Sequence, residues 1–214
     1  MNFETLLSKL AVQLSSAQLD SIIESSVFLF PAEKIQLQNR SSEKRRKEFL
    51  GARLLRNQLL IKSIISYDDV GKPYLQDDPN RYISISHSGE TVVLGVASFN
   101  IGIDIEKPQN KIHRIINKFA DEDEKNLYSF GQFSATDWLT FIWCAKEAIY
   151  KLGGRKGVAF KEEIQLLSID EVEHNYLKIS GSYKHSAGKT HEVEVYCLKD
   201  SELLFALAKF KAEP

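Results

Sequence analysis

The segment IGIDIE, residues 101–106, places Asp104 and Glu106 two residues apart in an otherwise apolar run. In a β-strand, side chains i and i+2 share a face, so the two carboxylates point together while three isoleucines point into the core. Neighbouring carboxylates hold a hard cation such as Mg²⁺, with water and phosphate oxygens as further ligands. A half-solvated strand with two exposed acids explains the pattern equally well on strand evidence alone.

A second polar feature lies on the apolar segment 138–152, WLTFIWCAKEAIYKL. Thr140, Cys144, Glu147 and Lys151 follow the spacing i, i+4, i+7, i+11, which aligns them in one stripe of a helix. A polar stripe on a buried helix predicts a cleft. Glu147 would complete a three-carboxylate metal site, and Lys151 would neutralise a phosphate oxygen. The alternative is an i, i+4 ion pair worth only about 0.3–0.5 kcal/mol.

The third feature is SISHSGE, in which Ser86, His87 and Ser88 are predicted to occupy a turn after an alternating strand. Hydroxyls, backbone N–H groups and an imidazole in one turn can bind an anion. A hairpin turn with an incidental histidine is the competing interpretation. Lys72 in GKPY and the basic run at residues 44–47 add positive charge upstream, although such a run at a helix start is commonly just a solvated face.

These residues are positioned by a mixed set of predicted elements. Residues 15–30 are predicted to form a helix or strand stopped by Pro31, and residues 41–65 form a basic amphipathic helix. Segments 82–86 and 91–98 alternate as a hairpin, with IGIDIE as a third strand. Two short helices follow within 111–130, and Gly153-Gly154 ends the long helix. Four strands are predicted near the C-terminus: 164–169, 176–183, 191–198 and 203–210.

The bulk composition bounds the class of protein. A chain of 214 residues with 43% hydrophobic and 27% charged residues is typical of a globular fold, and its net charge of −1 argues against nucleic-acid binding by bulk charge. Cys144 and Cys197 lack metal-ligand spacing, which disfavours zinc and favours a reducing compartment. We find no signal-like or membrane-spanning run, so the sequence predicts a cytoplasmic protein without membrane contact.

In chain order, GKPYL, SISHSG, IGIDIE and WCAKEAIYK resemble the 4′-phosphopantetheinyl transferases, specifically the larger type that activates peptide synthetases. The resemblance covers about residues 40–160. It implies an α+β fold of two similar α/β lobes related by a pseudo-twofold, each with a small, mainly antiparallel sheet packed on a helix. A division near residue 100 gives lobes 1–100 and 101–214, with coenzyme A in the cleft between them.

The resemblance also implies a Mg²⁺-dependent reaction. The serine hydroxyl of an apo acyl or peptidyl carrier protein attacks the β-phosphorus of coenzyme A, yielding the holo carrier and adenosine 3′,5′-bisphosphate. The carrier would serve fatty-acid, polyketide or peptide synthesis. Asp104, Glu106 and Glu147 match the metal-ligand positions, and Lys151 matches the pyrophosphate-binding lysine.

Further roles follow from the same resemblance. Lys72 and the Ser86-His87-Ser88 turn match positions that bind the nucleotide end of coenzyme A, with His87 at the 3′-phosphate. Either Lys47 or Arg53 is expected to reach that phosphate as well. Glu124 matches a proposed general base, although Asp121, Glu122 and Asp123 crowd the same turn.

Three alternatives compete with this interpretation. One is the short, trimeric carrier-protein synthase, but about 100 residues precede IGIDIE here, which favours a two-lobe monomer. Another is an inactive relative, against which the three acids and Lys151 argue. The last is a Mg²⁺-dependent pyrophosphatase of unrelated fold. Carrier recognition is expected to involve residues 107–135 and an acidic carrier helix.

Overall fold

The computed structural model describes residues 3–128, 131–185 and 188–211. The helices are α1 (Phe3–Lys9), α2 (Pro31–Gln38), α3 (Glu43–Gln58), α4 (Ile112–Ile115), α5 (Glu122–Asn126), α6 (Ala135–Gly153) and α7 (Phe160–Glu163). Short 3₁₀ turns occupy Leu19–Ser21, Glu24–Ser26 and Ile116–Lys118. The strands are β1 (Gln13–Gln18), β2 (Ile65–Tyr67), β3 (Pro73–Leu75), β4 (Tyr82–Ser88), β5 (Thr91–Ala97), β6 (Ile101–Glu106), β7 (Ile164–Glu173), β8 (Tyr176–Lys184), β9 (Thr190–Asp200) and β10 (Leu203–Phe210).

The strands form three antiparallel sheets, which confirms the predicted α+β class. The orders are β1-β5-β4, β2-β3 and β6-β10-β9-β8-β7. The two smaller sheets use strands that precede residue 100, and the five-stranded sheet starts at Ile101. The chain therefore changes sheets between Ala97 and Ile101. The pseudo-twofold and the lobes 1–100 and 101–214 stay predictions.

Serine hydroxyls join the three-stranded sheet to the five-stranded sheet. Ser84 Oγ accepts from the Ile103 amide at 2.9 Å, and Ser86 and Ser88 accept from the Ile105 and Lys107 amides, each at 3.2 Å. Residue numbers rise together along both strands, so β4 and β6 run side by side in the same direction. Side-chain oxygens thus satisfy β6 amides that backbone carbonyls satisfy in an ordinary sheet.

Helix α6 packs on the inner face of the five-stranded sheet. Its neighbours include Leu177, Val195 and Ala206, all buried. Ile101, Ile103 and Ile105 point to the opposite face of β6, where they pack with residues such as Leu6, Val93 and Leu207. The alternation predicted for IGIDIE is therefore confirmed, but helix α6 covers its acidic face, and Asp104 is only 5% exposed.

Several predicted boundaries need correction. Pro31 begins α2 rather than ending an element, because proline is tolerated in the first turn of a helix, where its missing N–H has no partner to lose. Helix α3 is capped by Ser42, whose side chain accepts from the Arg45 amide, and it ends at Gln58 rather than near residue 65. Leu60 then has φ 56°, and the chain turns into β2.

Candidate active site

The close packing of α6 on β6 brings the predicted acids together. Gly102 makes this approach possible, because a side-chain carbon at that position would overlap the carbonyl oxygen of Ala148 on α6. Asp104 and Glu106, which share the face of Gly102, thereby lie against the helix that carries Glu147 and Lys151. We call these four residues the acid cluster.

Asp104 has two very different oxygens. Its Oδ1 accepts from Ser86 Oγ at 2.7 Å and lies 2.7 Å from Lys151 Nζ. Its Oδ2 is buried and has no hydrogen-bond partner among the residues that the structure describes. A buried polar atom without a partner costs on the order of 1–3 kcal/mol, more when charged. Such an atom points to a ligand that binds at this oxygen.

Glu106 is held by neutral donors on both oxygens. Oε1 accepts from the indole Nε1 of Trp143 at 2.8 Å, and Oε2 accepts from Ser88 Oγ at 3.2 Å. Burial raises the pKa of Glu106, and the charge of Asp104 raises it further. The carboxylate is therefore oriented while its charge is only partly compensated.

The carboxylate of Glu147 lies close enough to Asp104 and Glu106 for their charges to affect its protonation. Burial raises its pKa to about 7, and the charges of Asp104 and Glu106 add to the rise, whereas Lys151 opposes it. Among the described residues, no three acidic, histidine or cysteine side chains form a preassembled metal-ligand set. The donor chemistry nevertheless suits a hard cation, since three mutually repelling carboxylates include one oxygen without a partner.

A cavity of about 390 Å³ opens beside the acid cluster. Elements before and after residue 100 both line it, including α3, β4 and the end of α6. Its basic lining residues are Arg40, Arg45, Lys72, Lys151 and Arg155. The aromatic residues Phe49, Tyr67 and Tyr150 also contribute. This mixture of cations and rings is suited to a phosphorylated aromatic ligand.

Lys72 and His87 both line this cavity. Lys72 Nζ donates to Asn100 Oδ1 and to the carbonyl of Leu152, both at 2.8 Å, and burial lowers its pKa to about 8. His87 is half exposed, with Nδ1 3.5 Å from Glu48 Oε1. The cavity therefore presents one lysine and one imidazole from segments that precede residue 100.

The two serines beside His87 lie elsewhere than predicted. Residues 86–88 continue strand β4 rather than forming a turn, and the turn follows at Gly89, where φ is 58°. Because strand side chains alternate, His87 points to the cavity while Ser86 and Ser88 point to β6. The serines thus orient Asp104 and Glu106 instead of facing the cavity.

Neither candidate on α3 lines the cavity. Arg53 is fully buried, bonded to Glu33 and to the carbonyl of Ile65, so its guanidinium is a structural group. Lys47 pairs with Glu43 along the helix surface. The lining face of α3 consists of Arg45, Glu48, Phe49 and Ala52.

The helical period could have identified that face. Residues 48, 49 and 52 follow residue 45 by three, four and seven positions, so all four residues share one side of α3. Arg40 precedes the helix, so no helical period in the sequence predicts that it lines the cavity. It lies 4.3 Å from the centre of the Phe49 ring.

Glu124 is also absent from the cluster. It is 2% exposed, 2.7 Å from the buried Lys146 Nζ, and it accepts from the Leu166 amide at 2.9 Å. A buried carboxylate that is paired with a lysine and a backbone amide is a structural group. This environment argues against the predicted role of Glu124 as general base. Asp121 caps α5 through the Glu124 amide. Thr140 and Cys144 are buried as well, whereas Lys151 lines the cavity and Glu147 the groove. Burial raises the pKa of the Cys144 thiol, and the nearby charges of Asp104 and Glu106 raise it further, so Cys144 adjoins the acids from inside the core.

An apolar groove adjoins the cluster on the other side of Tyr150. Trp143, Glu147, Tyr150, Phe119 and Phe160 line it, together with Ile115, Lys118 and Val158. Tyr150 lines the cavity as well, so groove and cavity are neighbours along α6. In the sequence, Trp143 is one of many apolar residues in the segment 138–152, and no pattern there predicts the groove.

Comparison with known proteins decides the family. Residues 100–206, half of the chain, match the model of the 4′-phosphopantetheinyl transferase superfamily. The chain belongs to this superfamily. It is 28% identical over 156 residues to 4′-phosphopantetheinyl transferase Sfp of Bacillus subtilis (strain 168), covering 66% of this chain and 69% of that protein. It is 34% identical over 91 residues to 4′-phosphopantetheinyl transferase psf-1 of Bacillus pumilus, covering 42% and 39%.

As a 4′-phosphopantetheinyl transferase, the chain is an enzyme that transfers phosphopantetheine. The matched segment contains the acid cluster, whereas Arg40, Arg45, Lys72 and His87 precede it. None of the helices in the described part of the transferase has the length and hydropathy that crossing a membrane requires.

Proposed function

We propose that this transferase moves 4′-phosphopantetheine from coenzyme A to a serine of an apo carrier protein, releases adenosine 3′,5′-bisphosphate and requires Mg²⁺. One observation carries the proposal. Within the acid cluster, Lys151 contacts Asp104 at 2.7 Å and also lines the basic cavity. The carboxylates and the site for a phosphorylated ligand therefore meet at one residue. The scissile pyrophosphate would lie at this junction.

The nucleotide of coenzyme A fits the cavity. Arg40 and Arg45 line the cavity and have no ion-pair partner among the described residues. Together with His87 they would bind the 3′-phosphate. They take the place of Lys47 and Arg53, which do not line the cavity. Lys72 lies nearer the end of α6 and would support the pyrophosphate. Charge-assisted contacts of this kind favour the phosphorylated ligand.

Asp104, Glu106 and Glu147 would hold Mg²⁺, with Asp104 Oδ2 as the oxygen that gains a partner. When bound there, the cation would neutralise charge on the transferring phosphoryl group. Lys151 would exchange Asp104 for a pyrophosphate oxygen. In the reaction, the serine oxygen bonds to the β-phosphorus, and the bond to the bisphosphate oxygen breaks. Glu162, which lines the groove with Glu147, would accept the serine proton in place of Glu124.

The carrier protein would dock at the apolar groove. Lys118 lines it, and Lys111 and Arg114, which precede Lys118 along the chain, are exposed as well; none of the three forms an ion pair within the described residues. Apolar side chains flanked by free cations suit an acidic amphipathic helix. One chain supplies both cavity and groove, which supports a monomer, and the two free, buried cysteines fit the cytoplasm.

The test is an intact-mass measurement. Purified protein, coenzyme A and Mg²⁺ are incubated with a panel of apo acyl and peptidyl carriers, and a gain of one phosphopantetheine is expected on at least one carrier. A carrier whose acceptor serine is alanine is the control. No gain on any carrier would refute the proposal, and release of the bisphosphate without a carrier would instead indicate a pyrophosphatase.

A further inference from the structure

Trp143 contacts the acid cluster through its indole N–H, 2.8 Å from Glu106 Oε1. The indole is a donor only and carries no charge. It therefore fixes the direction of the carboxylate without neutralising it, in contrast to a lysine or arginine at the same place. Ser88 acts in the same way on Oε2.

The indole ring contacts the rings of two phenylalanines. Its centre lies 4.8 Å from that of Phe119 and 5.7 Å from that of Phe160, the second pair being stacked. Lys146 Nζ donates to the carbonyls of both phenylalanines, at 2.7 and 3.0 Å. One buried ammonium thus anchors both neighbours of the ring, and this leaves the indole little freedom to turn.

We propose that Trp143 is a positioning residue that aims Glu106 at the cation and, because its ring also lines the groove, couples the groove to the acid cluster. The inference rests on the proposed function for the identity of the cation. Loss of the N–H should leave Glu106 with the Ser88 hydrogen bond on Oε2 but no donor on Oε1, so the carboxylate can turn away from the cation while its charge remains. Cation affinity should then fall, although the fold and the cavity are kept.

The test uses Mn²⁺, whose free ion gives a paramagnetic resonance signal, as a probe of the site without coenzyme A or carrier. Trp143→Phe keeps an aromatic ring beside the two phenylalanines and removes the donor together with part of the indole's volume, a loss of volume that the control variant shares. We expect Mn²⁺ to bind this variant about tenfold more weakly, as loss of a hydrogen bond to a charged group predicts. Trp138→Phe is the matched control, because its N–H serves the Lys125 carbonyl outside the site, and its Mn²⁺ affinity should be unchanged.

A second measurement reports on the ring directly. The chain has two tryptophans, so the Trp138→Phe protein fluoresces from Trp143 alone, and Mg²⁺ should change that emission. Mn²⁺ affinity equal to wild type in Trp143→Phe would overturn the proposal, as would emission that does not respond to Mg²⁺. Both readouts are independent of turnover, so a weakened Trp143→Phe site in a protein that modifies no carrier would refute the proposed function alone.

Discussion

Ser86 and Asp104 are joined by a hydrogen bond of 2.7 Å that crosses from the three-stranded to the five-stranded sheet. The same hydroxyl accepts from the Ile105 amide, and Ser88 repeats the arrangement with Glu106 and Lys107. Serines two residues apart on β4 therefore match acids two residues apart on β6. The junction of the sheets and the orientation of the acids depend on the same hydrogen bonds.

Asp104→Asn should abolish most turnover while sparing coenzyme A binding. The variant retains an acceptor for Ser86 and Lys151 but loses the charge and the unpartnered Oδ2 that would meet the cation. We expect turnover to fall at least about 100-fold, and the coenzyme A dissociation constant to stay within about threefold. Carrier mass and calorimetry measure the two quantities. Glu202→Gln, which breaks an exposed pair with Lys107, is the control; normal turnover in Asp104→Asn would remove Asp104 from the metal site.

Lys146→Met should destabilise the protein by about 3–5 kcal/mol, because it leaves Glu124 as a buried charge without its partner. Glu124→Leu should be similarly costly, and the double variant should lose less than the sum of the two. Urea unfolding measures each free energy. A variant Glu124→Gln of normal stability that cannot transfer phosphopantetheine would instead support Glu124 as the general base.

The sequence predicted those features that depend on local periodicity. The alternation of IGIDIE, the strands after residue 160 and the stop of α6 at Gly154 follow from spacing and from glycine, whose φ there is 59°. Helix α6 begins earlier than predicted, at Ala135 with Ser134 as its cap, because the first turn of the helix lacks the apolar pattern.

Contacts between residues far apart in the sequence could not be predicted from local periodicity. Nothing in SISHSG alone reveals that its serines bond to β6, since a strand side chain can face either a cavity or another strand. Arg53 and Glu124 are charged residues that were predicted to be functional. The sequence alone does not show whether a charged residue binds a ligand or is buried against an opposite charge. Their partners, Glu33 and Lys146, lie 20 and 22 residues away.

Lys72 should make anion binding pH-dependent above neutrality. Burial lowers its pKa to about 8, below the usual 10.5, so the unbound folded protein loses this proton as pH rises through 8. An anion needs the charged form, and its apparent dissociation constant should therefore rise about fivefold from pH 8 to pH 9. Calorimetry with adenosine 3′,5′-bisphosphate measures this, since that ligand lacks a thiol. Lys72→Arg keeps its charge and should bind equally at both pH values; a wild-type constant that does not change would contradict the assignment.

Removing the same proton also bears on stability. Because the unfolded chain holds the Lys72 proton up to about pH 10.5 and the folded chain only to about pH 8, the contribution of this residue to stability increases with pH between those values. Below pH 8, the buried charge opposes folding. Lys72→Met should consequently raise the unfolding free energy more at pH 7 than at pH 10, as urea titration at both values would measure.

Arg40→Gln should reduce selectivity for the 3′-phosphate of coenzyme A. Its guanidinium rests on the Phe49 ring at 4.3 Å and lines the cavity, without an ion pair to any described residue, so it is free to bind a phosphate. Wild type should prefer coenzyme A to the 3′-dephospho form, and the variant should lose about tenfold in affinity for coenzyme A only, as expected for one charge-assisted contact. Lys47→Gln on the outer face of α3 is the matched control and should retain the preference. An equal loss for both ligands would place Arg40 at another part of the nucleotide, and no loss would exclude it from the site.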